Sequence, residues 1–209
     1  MNYIENIYVC LAAPFVIASI CLDRSNRRVT AFALVGMTVC LLSSYISTFL
    51  MGVQGLGTEM AAISITPIVE ELMKFLPVVF YLVVLEPKRG NAVSALLMIY
   101  IGFATFENVC YLTQNGAGQL MFLVIRGFGT GTMHVVCGMI MAIGLLFLWD
   151  QVWLRIAGLF GLISLAITYH GVYNMMVSQP GRIAVAGYLI PAATVVVVLL
   201  FREKILSKV

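Results

Sequence analysis

Charged and polar side chains sit in the middle of apolar runs long enough to cross a bilayer, and this pattern most limits what the chain can fold into. Glu70, Glu71 and Lys74 lie within ISITPIVEELMKFLPVVFYLVV, and Glu107 and Asn108 within LLMIYIGFATFENVCYL. His134 falls in a long run ending FLW, and His170 and Asn174 in LISLAITYHGVYNMMV. A charge at the bilayer centre costs from a few to more than ten kcal/mol, so a membrane helix keeps one only where it meets a partner or a wet cavity. Four separate segments each contributing such groups imply one shared polar site.

The remaining composition leaves a single architecture. The 209 residues are 62% hydrophobic and 10% charged, with a mean hydropathy of +1.04. Lipid offers no hydrogen bonds to irregular backbone, so this much apolar surface reads as an all-α, polytopic helical membrane bundle. At about 20 residues per span, the length allows roughly six to eight helices and one domain, 1–209. Cys10, Cys21, Cys40, Cys110 and Cys137 fall within or beside apolar runs, a buried-thiol pattern with no disulfide or CxxC metal framework. The aromatic residues are not interleaved with Lys and Arg, which sets nucleic acid aside. The N-terminal segment lacks the positive n-region of a secretory signal peptide and reads as a first span.

Turn chemistry divides the chain into seven expected helices, at about 3–22, 29–51, 60–85, 91–113, 119–148, 152–177 and 183–201. Arg24, Arg27, Arg28, Lys88, Arg89, Arg155, Arg202, Lys204 and Lys208 then fall on one side, and Arg182 alone on the other. The positive-inside rule makes the first side cytoplasmic, with the N-terminus outside and the C-terminus inside. At about 1.5 Å per residue, the carboxylates and His170 lie roughly 10–15 Å below the outer helix ends, and His134 lies deeper. Pro67 and Pro77 bracket the EELMK stretch and are expected to bend that helix and admit water beside it.

The residue types point to carboxylate and imidazole chemistry. Glu70 and Lys74 are four apart and Glu71 and Lys74 three apart, so the lysine reaches either carboxylate on one helix face. Two adjacent glutamates in a low dielectric do not both ionise easily. The set therefore serves either as a general base or as a structural ion pair. Glu107 and Asn108 fit a cavity wall or a packing knot, with Phe103 one turn away. His170 and Asn174 share a face and could donate to an oxyanion. Arg126 and His134, eight apart, are about 80° apart around a regular helix. Arg126 either faces the cavity or snorkels outward. Gly127, Gly129 and Gly131 read as close-packing positions.

Other protease classes lack their residues: there is no HExxH, no serine elbow, and the two aspartates, Asp23 and Asp150, sit in loops. A proton-coupled transporter remains an alternative, although no internal repeat is evident. A non-catalytic chaperone or immunity-like membrane protein is another.

Four motifs in order resemble the PrsW family of bacterial intramembrane proteases, which belongs with the CAAX-protease and bacteriocin-processing superfamily. They are Glu70-Glu71-Leu-Met-Lys74, then Phe103-Ala-Thr-Phe-Glu107-Asn108, then Arg126 with His134, then His170-Gly-Val-Tyr-Asn174. The resemblance implies a multi-pass protease of the bacterial cytoplasmic membrane that cuts a membrane-anchored protein near the outer face. An anti-sigma factor is such a substrate, cut in a site-1-type cleavage that precedes a second intramembrane cut and release of its sigma factor. It further implies catalytic roles for Glu70, Glu71, Glu107, His134 and His170, supported by Lys74, Phe103, Asn108, Arg126 and Asn174. In that scheme Glu70 or Glu71 activates water with help from His134, while His170 and Asn174 steady the oxyanion. Two histidines and glutamates also suit zinc. Lys74 beside them argues against a cation, so no cofactor is expected.

Overall fold

The computed structural model describes residues 4–85, 87–115, 118, 120–201, 203, 204 and 207. Of the basic residues that set the expected orientation, Arg202 and Lys208 lie outside this set. The elements are α1 (Ile4–Cys21), α2 (Arg24–Gln54), α3 (Thr58–Ser64), α4 (Thr66–Val84), α5 (Arg89–Asn115) and α6 (Leu120–Ile125). A π-helical turn (Arg126–Gly131) runs directly into α7 (Thr132–Leu148), followed by α8 (Val152–Val177) and α9 (Arg182–Leu200). Among the described residues, six helical stretches are long and apolar enough to cross a membrane: α1, α2, α5, the continuous α6–α7 segment, α8 and α9. The chain is thus a helical, multi-pass membrane protein. The seventh expected span is α4, whose 19 residues carry Glu70, Glu71 and Lys74 and so stand apart from those six in composition.

Helix two starts five residues earlier than its apolar pattern implied. The Asp23 carboxylate accepts from the backbone N–H groups of Ser25 and Asn26, and the polar RSNRR stretch becomes the first turns of α2. The expected single helix over 60–85 is broken. Pro67 lies in the first turn of α4, and a proline cannot donate to the preceding turn. The chain therefore ends α3 at Ser64 and restarts at Thr66. Pro77 stays inside α4.

The helices pack around the buried polar residues and an apolar interior beside them. α2 lies along α5, α7 contacts α5 and α8, and α4 is enclosed by α2, α5 and α8. α1 packs on α2, and α9 on α8, α7 and the π-turn. The α2–α5 contact is backbone on backbone. A methyl group on Gly36 would overlap the Ile99 carbonyl, and one on Gly102 would overlap the Ala33 carbonyl. Only glycine allows so close an approach. The apolar interior joins Val78 of α4, Leu96, Ile99 and Tyr100 of α5, Met133 and Cys137 of α7, and Ile163 and Ala166 of α8. Large apolar side chains point outward instead, among them Phe80, Phe128, Phe160 and Trp153. Beyond the helix ends, Arg89 and Asp150 pair across the surface and join the start of α5 to the α7–α8 turn.

Candidate active site

α4 delivers three charged side chains to the interior, because positions 70 and 71 each lie about one helical turn from position 74. Glu71 and Lys74 are fully buried, and Glu70 is 8% exposed. Lys74 Nζ donates to Glu71 Oε1 at 2.7 Å and stands 3.6 Å from Glu70 Oε2. The same Glu71 oxygen meets His170 Nδ1 of α8 at 3.0 Å. A carboxylate accepts, so His170 carries its proton on Nδ1 and presents the Nε2 lone pair. That Nε2 lies 4.0 Å from Glu70 Oε2. Glu70 Oε2 is buried and has no hydrogen-bond partner.

α5 and α7 build the second part. His134 Nε2 lies 2.6 Å from Glu107 Oε2, and Arg126 donates to the other Glu107 oxygen at 2.8 Å. His134 Nδ1 is 3.0 Å from Lys74 Nζ. An ammonium only donates, so Nδ1 accepts and Nε2–H donates to Glu107. Lys74 thus joins the two carboxylate clusters. Its charge also lies over the Phe103 ring, 3.8 Å from the centroid, a favourable cation–π contact. The two imidazoles meet edge to face with centroids 5.0 Å apart. All five expected catalytic residues therefore lie together.

Arg126 and His134 meet one carboxylate because the helix between them is not a regular α-helix. A π-turn closes its hydrogen bonds i→i+5 and so absorbs one extra residue. Eight residues across it sweep the angle of about seven in an α-helix, which at 3.6 residues per turn is about 20° short of two turns. The 80° separation expected from the sequence collapses to one face. Arg126 does not snorkel: its side chain is 13% exposed, and its guanidinium stacks on Tyr111 at 3.6 Å. The glycines of RGFGTG are the one sequence signal of this turn. A methyl group on Gly131 would come within 2.9 Å of Asn108 Nδ2, so Asn108 packs against the π-turn.

Asn174 is placed differently from the expectation. Its amide donates to the Ala62 carbonyl at 2.8 Å, tying α8 to the last turn of α3. Tyr100 was not singled out in the sequence, yet it is buried with its ring 5.3 Å from Lys74 Nζ and its hydroxyl without a hydrogen-bond partner. Its place three residues before Phe103, one turn along α5, was the available signal.

Paired carboxylates and imidazoles buried among membrane helices define a polytopic membrane protein with a hydrolase-like polar centre. The family model of the PrsW intramembrane metalloproteases matches residues 25–201, and the chain belongs to this family of intramembrane proteases. No curated protein and no solved structure gives a significant match.

The family's description implies a metal. Glu70, His134 and His170 are buried and offer ligand atoms within 4.8 Å of one another. Two imidazoles and a carboxylate are the donor types of a catalytic zinc site. The surroundings are less suitable. Lys74 Nζ stands 3.0 Å from His134 Nδ1 and 3.6 Å from Glu70 Oε2, which puts a positive charge among the donors. Both His134 nitrogens are engaged, by Lys74 and by Glu107. As arranged, the residues do not fit a divalent ion unless Lys74 leaves or loses its proton.

Proposed function

We propose that this protein is a glutamate-dependent intramembrane endopeptidase in which Glu70 is the general base. The observation that carries the assignment is Glu70 Oε2, which has no hydrogen bond and faces the His170 Nε2 lone pair across 4.0 Å; Glu71 Oε2 also has none, but Glu71 is committed through its other oxygen to Lys74 and His170. A water bridging that gap donates one proton to each group and turns its own lone pairs toward a substrate carbonyl. Glu70 takes a proton as the water oxygen attacks the carbonyl carbon, and it returns that proton to the amide nitrogen as the C–N bond breaks. The products are a carboxylic acid and an amine. Lys74 offsets the charge developing beside it. Glu71 holds His170 in the required tautomer, and Glu107 with Arg126 holds His134. In this reading His170 positions water, and Asn174 fixes the helix that carries it. No metal takes part.

The substrate is a membrane-anchored protein cut near the outer face of a bacterial cytoplasmic membrane. An anti-sigma factor cut in a site-1-type cleavage is one such substrate. The positive-inside charge distribution and the depth of Glu70 below the outer helix ends support this placement.

The test is cleavage of a panel of single-span proteins with short extracytoplasmic stubs by purified protein in liposomes, with and without a strong chelator. Wild type is compared with Glu70→Gln, Glu71→Gln and His170→Ala. The expected result is cleavage that survives chelation and is lost in Glu70→Gln. Loss of activity on chelation, restored by zinc, would overturn the metal-free mechanism. Full activity of Glu70→Gln would overturn the assignment of the base.

A further inference from the structure

The π-turn needs an outside hold, because its extra residue weakens the helical ladder that would otherwise fix it. That hold comes from α8. Thr130 Oγ1 and the Tyr173 hydroxyl form a buried hydrogen bond of 2.9 Å. Both residues are buried, and Tyr173 also packs edge to face on Tyr188 of α9. A methyl group on Gly129 would lie 2.7 Å from Tyr188 Cδ1 and 3.4 Å from the Tyr173 hydroxyl, so the two tyrosines close directly over the turn. Tyr173 is three residues beyond His170 on α8. One helix therefore carries both the histidine of the Glu71 cluster and the hydroxyl that fixes the Glu107 cluster.

We propose that Tyr173 is a positioning residue, whose hydrogen bond to Thr130 holds the π-turn in the register that lets Arg126 and His134 grip the two oxygens of one Glu107 carboxylate. Tyr173 acts through that register and touches no substrate. The proposal rests on the protease reading for its kinetic consequence, but its structural consequence can be read without turnover. The chain has two histidines, His134 and His170, and both lie in the site. Selective ¹⁵N-histidine labelling therefore reports on the two clusters separately.

The experiment compares wild type, Tyr173→Phe and Thr130→Val in detergent micelles. Each variant removes one hydroxyl and keeps the shape of its side chain. The expected result is a displaced or broadened His134 ring signal with a smaller change at His170, and the same pattern in both variants. Cleavage turnover falls about tenfold with KM little changed, as for a lost hydrogen bond that matters only to alignment. Adding Tyr173→Phe to Arg126→Lys costs nothing further, because both act on Glu107. An unchanged His134 signal, or losses that multiply in the double variant, would overturn the proposal. A displaced His134 signal in a protein that cleaves none of the panel would uphold the clamp and count against the protease reading.

Discussion

The two carboxylate clusters of the site are built in opposite ways. The Glu70–Glu71–Lys74 cluster comes from one helix face and needs only α8 to supply His170. The Glu107–Arg126–His134 cluster joins α5 to two points on a distorted helix. They also differ in what is left over. Glu107 has a hydrogen-bond partner on each oxygen, whereas Glu70 and Glu71 each keep a buried Oε2 with none, and only that of Glu70 faces the free nitrogen of His170. The difference separates holding from reacting: a saturated carboxylate fixes geometry, and an unsatisfied one has capacity for a water and its proton.

That contrast predicts a ranked set of losses. Glu70→Gln keeps size and removes the base, so kcat falls about a thousandfold in the liposome assay while thermal unfolding hardly moves. A stability loss matching the activity loss would show Glu70 to be structural. Glu71→Gln should behave in the reverse sense. It leaves Lys74 charged, buried and poorly paired, at a cost of about 3 kcal/mol in detergent-based unfolding, with activity lost alongside. Arg126→Lys keeps the charge but loses the planar fork, so turnover falls about tenfold with stability nearly intact. Equal effects from Glu71→Gln and Arg126→Lys would erase the distinction between the clusters.

How much of this could be read from the chain follows the same division. The Glu70–Glu71–Lys74 face was legible because helical periodicity alone brings those residues together. The meeting of Arg126 with Glu107 was not, because a regular helix puts Arg126 and His134 about 80° apart and nothing in RGFGTG states where an extra residue is absorbed. The break between Ser64 and Thr66 was half legible: Pro67 announced a disturbance, and only the fold showed a restart instead of a bend. The partner of Asn174 was not legible for a simple reason. Its spacing from His170 gives a shared face, but the Ala62 carbonyl that takes its amide lies 112 residues away in sequence. The early start of α2 was hidden by its own polarity, since RSNRR carries no apolar period for Asp23 to introduce.

The smallest expected effects lie outside the bundle. Asp150→Asn removes an exposed partner of Arg89 and should change stability by less than about 1 kcal/mol. Asp23 caps α2, and the Ser25 backbone N–H with the Asn26 side chain hold its carboxyl below the usual carboxylate range. A depressed folded value means the cap's contribution is complete above the ordinary Asp value of about 3.9 and fades as pH falls through the lower folded value. An acid titration of unfolding should therefore differ slightly between wild type and Asp23→Ala near neutral pH, and the two curves should converge in acid. A difference that grows on acidification would rule out this sign.

The backbone crossing at Gly36 and Gly102 carries a consequence for genetics. Alanine at either position pushes α5 away from α2, and α5 is the helix that carries Tyr100, Phe103 and Glu107. A screen for inactive alleles would score these two glycines beside the glutamates, although neither performs any chemistry. Counting such alleles would overstate the extent of the reaction centre, and only a fold-sensitive readout on each allele would separate the two kinds of defect.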